Sequence, residues 1–144
     1  MSFGCIRFKI DDPAMDAARH IREVVFCVEQ GVTAAEEWDD KDEICDHFLL
    51  SDGKTPVGTA RTRTYAPGIA KVERVAVLKD YRRLGAGRAM MEAVLDHLRA
   101  AGFKTAVLNA QVAVEDFYKD LGFVSEGDHF DEAGIEHVRM TRAL

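Results

Sequence analysis

One segment, residues 71–102, limits what this chain of 144 residues can fold into more than any other. It begins in a predicted strand, IAKVERVAVL, and a glycine-rich turn leads from that strand into a long helix. The apolar residues of the helix recur at spacings of three and four: Met90, Met91, Val94, Leu95 and Leu98. The apolar strand KTAVLNA follows, so we expect a right-handed crossover connection within one sheet.

The other segments predict one α/β domain (α+β) over residues 1–144, an ordinary length for a single domain. FGCIRFKI alternates as a strand does, and the next helix carries Ala17, Ile21, Val24 and Val28 on its apolar face. Turn residues then separate three strands of a meander. The predicted order, β-α-β-β-β-α-β-α-β-β, implies a mixed sheet of six to seven strands, mostly antiparallel and flanked by about four helices.

A second, shorter helix is predicted in VAVEDFYKDLG, and two closing strands, FVSEG and IEHVRMTRAL, follow it. Its apolar stripe is Val114, Phe117 and Leu121. Successive residues of a helix are rotated by about 100°, so Tyr118 is expected to point away from the face that carries Phe117.

Charge and cysteine content exclude several classes of protein. The formal net charge of −6 argues against a general nucleic-acid binder, which needs a basic face. No apolar run approaches the roughly 18 residues of a membrane span, and we see no signal peptide. The three irregularly spaced cysteines fit a reducing cytoplasm better than a disulfide framework. Cys45-x-His47 has no matching pair of ligands elsewhere, so no metal site is predicted.

The turn before the long helix has the composition of an anion site. Backbone N–H groups at a helix start lack partners and carry partial positive charge, which suits a phosphate. Gly85 and Gly87 remove side chains that would block its approach, and Arg82, Arg83 and Arg88 add charge-assisted contacts. The alternative is a glycine-rich turn with solvated arginines. The glycine spacing matches neither a Walker loop nor the dinucleotide fingerprint.

Three motifs in this order resemble the Gcn5-related N-acetyltransferase (GNAT) superfamily. They are Val75-Ala76-Val77 leading to Arg82-x-x-Gly85-x-Gly87, then Asn109 at a strand end, and then FYKDLGF over residues 117–123. Together they span residues 71–124. REVVFCVEQGV, EEWDDKDE and HFLL in the first half of the chain resemble, more loosely, a bacterial branch of the ElaA/YjcF type.

The resemblance implies a GNAT fold, in which the sheet splays between its central parallel strands and an acyl thioester lies in the gap. It implies acetyl-CoA, or another acyl-CoA, as co-substrate, with the pyrophosphate on the N–H groups of residues 83–88. The residues expected to bind it are Val75, Ala76, Val77, Arg82, Arg83, Leu84, Gly85, Ala86, Gly87, Arg88 and Asn109. The expected acceptor is a small-molecule or peptide amine. Dimerisation through the last strands is common in this fold, so a homodimer is one expectation.

Two residues are candidates for proton transfer. An alkylammonium group must lose a proton before it attacks a thioester, and the departing thiolate must gain one. Glu73 is the candidate base: on a strand it would share a face with Val75 and Val77, where burial would raise its pKa. It matches a position where some family members carry an acid for this purpose. Tyr118 is the candidate acid, matching a family tyrosine that acts on the CoA sulfur.

Other interpretations of these residues stay open. Glu73 could form a salt bridge with Lys71 or Arg74, and Tyr118 could be a packed surface residue. The acidic segment at residues 36–40 could be a solvated loop or could border the acceptor entrance. His129 and His137 are secondary candidates for contact with the acceptor: they fall in the closing strands, where the resemblance implies the acceptor pocket. A CoA-binding regulatory or interaction module without catalysis is the alternative function.

Overall fold

Seven β-strands form one mixed sheet in the computed structural model, which describes all residues from 1 to 144. The strands are β1 (Phe3–Phe8), β2 (Asp46–Asp52), β3 (Thr55–Ala66), β4 (Ile69–Val77), β5 (Thr105–Gln111), β6 (Val124–Glu132) and β7 (Ile135–Ala143). They lie in the order β1-β2-β3-β4-β5-β7-β6, and only β4 and β5 are parallel neighbours. The predicted fold class is therefore confirmed.

Helices cover both faces of the sheet. They are α1 (Ala14–Arg22), α2 (Ala34–Glu37), α3 (Ala86–Ala100) and α4 (Glu115–Asp120). The larger core packs α3 and α4 against one face, and it contains all five apolar residues predicted for the long helix. The smaller core packs α1 against the other face. None of these helices combines the length and apolar character needed to cross a membrane.

The helix that starts with α1 changes its geometry, so part of its predicted apolar face is wrong. From Glu23 to Glu29 it continues as a π-helix, whose hydrogen bonds join residues five apart instead of four. This widening shifts the side chains that face the sheet. Ile21 is buried as predicted, but the next buried pair is Val25 and Phe26, while Val28 is 74% exposed.

The buried face of α4 also differs from the predicted stripe. Val114 lies in a short 3-10 turn (Val112–Val114) before the helix begins, and it is exposed. Tyr118 and Leu121 are the buried residues of this segment. Phe117 is only partly buried and packs at the edge of the larger core. Of the predicted stripe, Leu121 is therefore buried as expected, whereas Tyr118 takes the buried place predicted for Phe117.

The two parallel strands separate soon after they meet. β4 and β5 pair only from Ile69–Lys71 to Thr105–Val107. Beyond this point β4 stays paired with β3 up to Val77, while β5 stays paired with β7 up to Gln111. The facing edges of β4 and β5 therefore have no partner strand over their second halves, and a wedge-shaped gap opens between them.

A β-bulge lies in β4 where the gap begins. Glu73 pairs with Arg61 and Ala76 pairs with Thr59, so two residues of β4 oppose one residue of β3. Arg74 takes the left-handed conformation there, with φ of 56°. The extra residue reverses the alternation of side chains between the two faces of the sheet. Val72 before the bulge and Val75 and Val77 after it all face the larger core, which contradicts the prediction that Glu73 shares their face.

Candidate active site

The N-terminus of α3 presents a run of free backbone donors next to the gap. No N–H group of residues 83–88 donates a hydrogen bond to any backbone or side-chain acceptor of the protein; Ala89 is the first to do so, to the carbonyl of Gly85 at 3.0 Å. Gly85 has φ of 85°, a conformation that glycine adopts without strain, and no protein atom lies within 4 Å of where its Cβ would be. Six consecutive donors and the dipole of a 15-residue helix make this turn a strong anion site.

The three arginines of the turn have different surroundings. Arg82 donates from Nε to the carbonyl of Val77 at 2.9 Å, and its guanidinium pairs with Glu29 at 2.9 Å. Arg88 pairs with Glu92 one helical turn later, at 3.0 Å. Arg83 has no hydrogen-bond or ion-pair partner. Arg82 therefore fastens the turn to β4, and Arg83 is the arginine whose charge is free for a ligand.

Gly87 is explained by packing inside the protein. A Cβ at this position would lie 3.1 Å from Cζ of Phe117, closer than nearly all real Cβ contacts. Its predicted role was to clear the approach of a phosphate. The structure adds a second reason: Gly87 lets α3 lie against Phe117, the neighbour of Tyr118 in α4.

A cavity of about 560 Å³ occupies the gap between β4 and β5. Its walls include predicted site residues from three different elements: Glu73, Val75 and Val77 of β4, Asn109 of β5 and Tyr118 of α4. Ala76, also predicted to bind CoA, turns its side chain into the smaller core, so only its backbone is available. The structure thus brings these five residues and Arg82 together around one cavity, whereas residues 83–88 do not line it and form the anion site at the start of the helix that follows β4.

Tyr118 lines this cavity while its ring is held in the larger core. The ring packs edge-on against Phe117 and Phe123, with centroid distances of 5.0 and 5.8 Å. Its hydroxyl has no hydrogen-bond partner in the protein. Burial raises the pKa of Tyr118 well above its usual value, so the hydroxyl remains protonated at physiological pH. It is therefore a hydrogen-bond donor at the edge of the cavity.

Glu73 lies in the cavity wall, but its pKa moves in the opposite direction from the prediction. Burial alone would raise the pKa, yet a hydrogen bond from Arg63 at 2.9 Å and the charges of Arg61 and Lys71, both at 3.5 Å, lower it. The bulge at Arg74 causes this, because it turns Glu73 toward the cations of β3 and β4. Of the two salt bridges considered for Glu73, the one with Lys71 is present. Arg74 instead binds Glu37 and Asp39.

A buried ion network, which the sequence did not predict, supports one wall of the cavity. Arg22 and Arg61 are 1% and 0% exposed, and Arg61 binds Asp39 at 2.7 Å and Asp42 at 2.9 Å. Arg22 binds Glu37 and Asp42, each at 2.7 Å. The acidic segment at residues 36–40 is therefore only partly solvated, since its inner carboxylates bind arginines. The signal in the sequence was weak: Arg22 follows Ile21 of the predicted apolar face, and Arg61 lies among the threonines of β3.

A pair of amides connects two walls of the cavity. Gln30, directly after the π-helix, and Gln111, the last residue of β5, donate to each other's side-chain oxygen at 3.4 and 2.9 Å. Both residues line the cavity. The helical segment that begins with α1 is thereby joined to β5 beside the widest part of the gap.

The network predicts a loss of stability in acid. Burial tends to raise the pKa values of Asp39, Asp42 and Glu73, but arginine hydrogen bonds and charges outweigh it and lower all three. Carboxylates with a depressed folded-state pKa stabilise the protein above about pH 4 and lose that contribution as the pH falls further. Glu37 opposes this trend, because burial raises its pKa. We expect urea unfolding to show a free energy lower by about 2 kcal/mol at pH 3 than at pH 7. Asp39→Asn should flatten the dependence; a flat wild-type curve would contradict the prediction.

Comparison with known proteins identifies the family. The family model for the acetyltransferase (GNAT) domain matches residues 23–144. The chain is 38% identical over 126 residues to the uncharacterized N-acetyltransferase YjcF of Bacillus subtilis, covering 87% of this chain and 89% of that one. It is 36% identical over 130 residues to the uncharacterized protein YyaT of the same organism, covering 88% and 87%.

Solved structures show the same fold. An acyl-CoA N-acyltransferase from Pseudomonas aeruginosa superposes with a TM-score of 0.86 at 24% identity, over 99% of this chain and 100% of that one. ElaA of Escherichia coli superposes with a TM-score of 0.86 at 23% identity, over 98% and 99%. The resemblance to the ElaA/YjcF branch is therefore confirmed, and the chain belongs to the GNAT family of acetyltransferases.

Proposed function

We propose that this protein transfers an acetyl group from acetyl-CoA to a primary amine, by direct attack of the amine on the thioester while both substrates are bound. The observation that carries the proposal is the run of six free N–H groups at the start of α3, next to the gap between β4 and β5. A pyrophosphate accepts several such hydrogen bonds at once, and a chain attached to it can continue into the gap.

Different residues around the gap bind different parts of CoA in this proposal. Leu84 and Ala86 lie within the run of free N–H groups. They contribute only backbone groups to the phosphate site, since the Leu84 side chain is 48% exposed and that of Ala86 is buried in the core. The unpaired edge of β4 at residues 75–77 offers backbone groups to the pantetheine arm, in the manner of an added strand. Asn109 offers an amide from the opposite wall. Arg83 adds a free positive charge for the phosphates.

The chemical step needs one proton removed and one supplied. Tyr118 acts as the acid, because its hydroxyl is protonated, unpartnered and in the cavity wall. Glu73, the predicted base, is held by three cations that lower its pKa, so its ionised carboxylate is suited to binding an N–H group of the amine or a water. Two premises for its action as the base have thus failed: it does not share the face of Val75 and Val77, and its pKa is lowered. Its role in this proposal is to bind the amine or a water.

Calorimetry and a thiol-release assay test the proposal together. We expect acetyl-CoA to bind, and the thiol of CoA to be released when an acceptor from a panel of amines is added. The panel contains spermidine, glucosamine, a peptide with a free N-terminus and a peptide with an internal lysine. The absence of any heat of binding would overturn the assignment of the α3 turn.

A CoA-binding module without catalysis is the second candidate. It is favoured by one observation: the predicted base Glu73 sits in an ionic cluster that resists protonation. This function predicts binding of acetyl-CoA with no thiol release on any amine. The same two measurements therefore separate the two candidates.

The proposed setting of the enzyme is the cytoplasm, which suits its three free cysteines. The proposed acceptor is a small-molecule or peptide amine, and neither nucleic acid nor a membrane is a proposed partner. The exposed edge strand β6 is the proposed contact of a homodimer, since its outer edge has no partner strand in the sheet.

A further inference from the structure

The proposed reaction leaves open which group takes the proton from the amine, and most carboxylates of the cavity are already engaged. Glu73, Glu37 and Asp39 are bound by arginine or lysine side chains at 2.7–3.5 Å. Glu36 caps α2, where its carboxylate accepts from the hydroxyl of Thr33 at 2.8 Å. A carboxylate held by hydrogen bonds or cations gives up that stabilisation when it is protonated, so it is a poor proton acceptor.

We propose that His137 is the base that removes this proton, a role that rests on the proposed acetyl transfer. His137 lines the cavity, and its side chain is 8% exposed. Histidine exchanges protons near neutral pH, as a base for this reaction must. Its position on β7, directly opposite Gln111 of β5, puts it beside the widest part of the gap.

The hydrogen bonding of His137 fixes which nitrogen is available. Nδ1 lies 2.7 Å from the backbone carbonyl of Ile135. A carbonyl oxygen can only accept, so Nδ1 carries the hydrogen, and in the neutral ring Nε2 keeps its lone pair. The ring is held by stacking on Phe130, with centroids 6.0 Å apart and an interplanar angle of 23°. The ring of His137 is therefore held in one orientation, and Nε2 is the nitrogen that can accept a proton.

Glu132 lies beside the nitrogen of His137 that is proposed to receive the proton. Its Oε2 lies 3.5 Å from Nε2 of His137, and its side chain is 50% exposed. When Nε2 carries the proton, its N–H can donate to this carboxylate. Because Glu132 reaches solvent, the proton has a route out of the cavity.

Other charged groups lie around the cavity that His137 lines. Glu132 of β6 is the carboxylate in direct range, and the facing end of β5 contributes the uncharged Asn109 and Gln111. The opposite walls carry further charges from the α2 region and β4: Glu36, Glu37, Asp39, Lys41, Lys71, Glu73, Arg74 and Arg82. Most of these form ion pairs among themselves, and Glu132 is the one ion-pair partner of His137.

His137 takes one proton from the alkylammonium group at Nε2, which leaves a neutral amine with a free lone pair. The nitrogen then forms a bond to the acetyl carbon, and its second proton leaves to water. The bond between the acetyl carbon and sulfur breaks, and the thiolate takes the hydroxyl proton of Tyr118. Proton exchange with solvent returns His137 and Tyr118 to their starting forms. From an alkylammonium ion and acetyl-CoA, the products are the acetylated amine, the free thiol of CoA and one proton.

The test compares His137→Gln with a matched histidine variant, His20→Gln, in the thiol-release assay with the amine panel. His20 is exposed on α1 and does not line the cavity, so His20→Gln should keep the wild-type rate. His137→Gln should lower kcat/KM by about 100-fold or more while the Kd for acetyl-CoA is unchanged. The acidic limb of the pH–rate profile should disappear, and added imidazole should restore part of the rate.

Each contrary outcome has a separate meaning. A His137→Gln enzyme with the wild-type rate and pH profile would overturn the role of His137 and leave acetyl transfer standing. A rate loss that keeps the acidic limb and is not rescued by imidazole would reduce His137 to a structural residue. If Glu73→Gln instead removes the acidic limb, Glu73 is the base. A wild-type protein that transfers to none of the four amines would overturn acetyl transfer, and the role of His137 with it.

Discussion

Arg61→Met is expected to lower the free energy of unfolding by about 3–5 kcal/mol. The side chain is completely buried and holds three carboxylates: Asp39 through two hydrogen bonds, Asp42 through one, and Glu73 at 3.5 Å. Methionine fills a similar volume without a charge, so these three carboxylates lose the cation that they share. Breaking a buried ion pair by removing one member costs far more than the pair contributes when intact. Urea unfolding at pH 7 measures the loss.

Two further variants distinguish this explanation from a simple loss of packing. Asp42→Asn added to Arg61→Met should recover part of the stability, because it removes one of the uncompensated charges. Arg99→Met is the matched control, since Arg99 pairs with Asp96 on the exposed surface of α3, and it should change stability by less than about 1 kcal/mol. If Arg61→Met proves too unstable to purify, Arg61→Lys keeps the charge and should show an intermediate loss. A loss below about 1 kcal/mol for Arg61→Met would contradict the prediction.

Tyr118→Phe is expected to reduce kcat about tenfold or more without changing the Kd for acetyl-CoA. The substitution removes only the hydroxyl, which has no hydrogen-bond partner, and leaves the ring in contact with Phe117 and Phe123. Folding stability should therefore change little. A tenfold loss corresponds to about 1.4 kcal/mol of transition-state stabilisation, the range of one hydrogen bond to a charged sulfur. Steady-state kinetics and calorimetry with acetyl-CoA measure the two effects.

Tyr65→Phe is the control for this experiment. Tyr65 is 44% exposed at the end of β3, does not line the cavity, and contacts Arg63, Arg139 and the cavity-lining Lys71. The Tyr65→Phe enzyme should keep the wild-type kcat. An unaltered rate in Tyr118→Phe would remove Tyr118 from the mechanism, while weaker binding of acetyl-CoA would show that the hydroxyl holds the ligand.

The sequence predicts best those structural features that depend on residues close together in the chain. The apolar repeat of α3, the glycines before it and the turn residues between strands all act over a few positions, and the structure confirms the elements that they predict. The free N–H groups of residues 83–88 follow from the same local pattern. The position of Tyr118 at the cavity follows from the family motif around it, although the sequence predicted Phe117 as the residue buried in the core.

The predictions that failed depend on backbone irregularities or on distant partners. One extra residue at Arg74 reverses the faces of β4, and no alternation of residue types marks it. The π-helix after Arg22 shifts a helical face in the same way. The cations around Glu73 come from two strands, and the pKa of a carboxylate depends on such neighbours more than on its own burial. His137 became a candidate base only when its carbonyl partner and its cavity were known.

The reciprocal amide contact of Gln30 with Gln111 has a consequence for how ligands enter. It ties the segment after the π-helix to the end of β5, so the contact closes one side of the cavity while it is made. Both side chains are neutral, Gln30 is exposed and Gln111 is half-buried, and hydrogen bonds of this kind contribute only about 1 kcal/mol each. This side of the cavity therefore opens at a small cost in free energy.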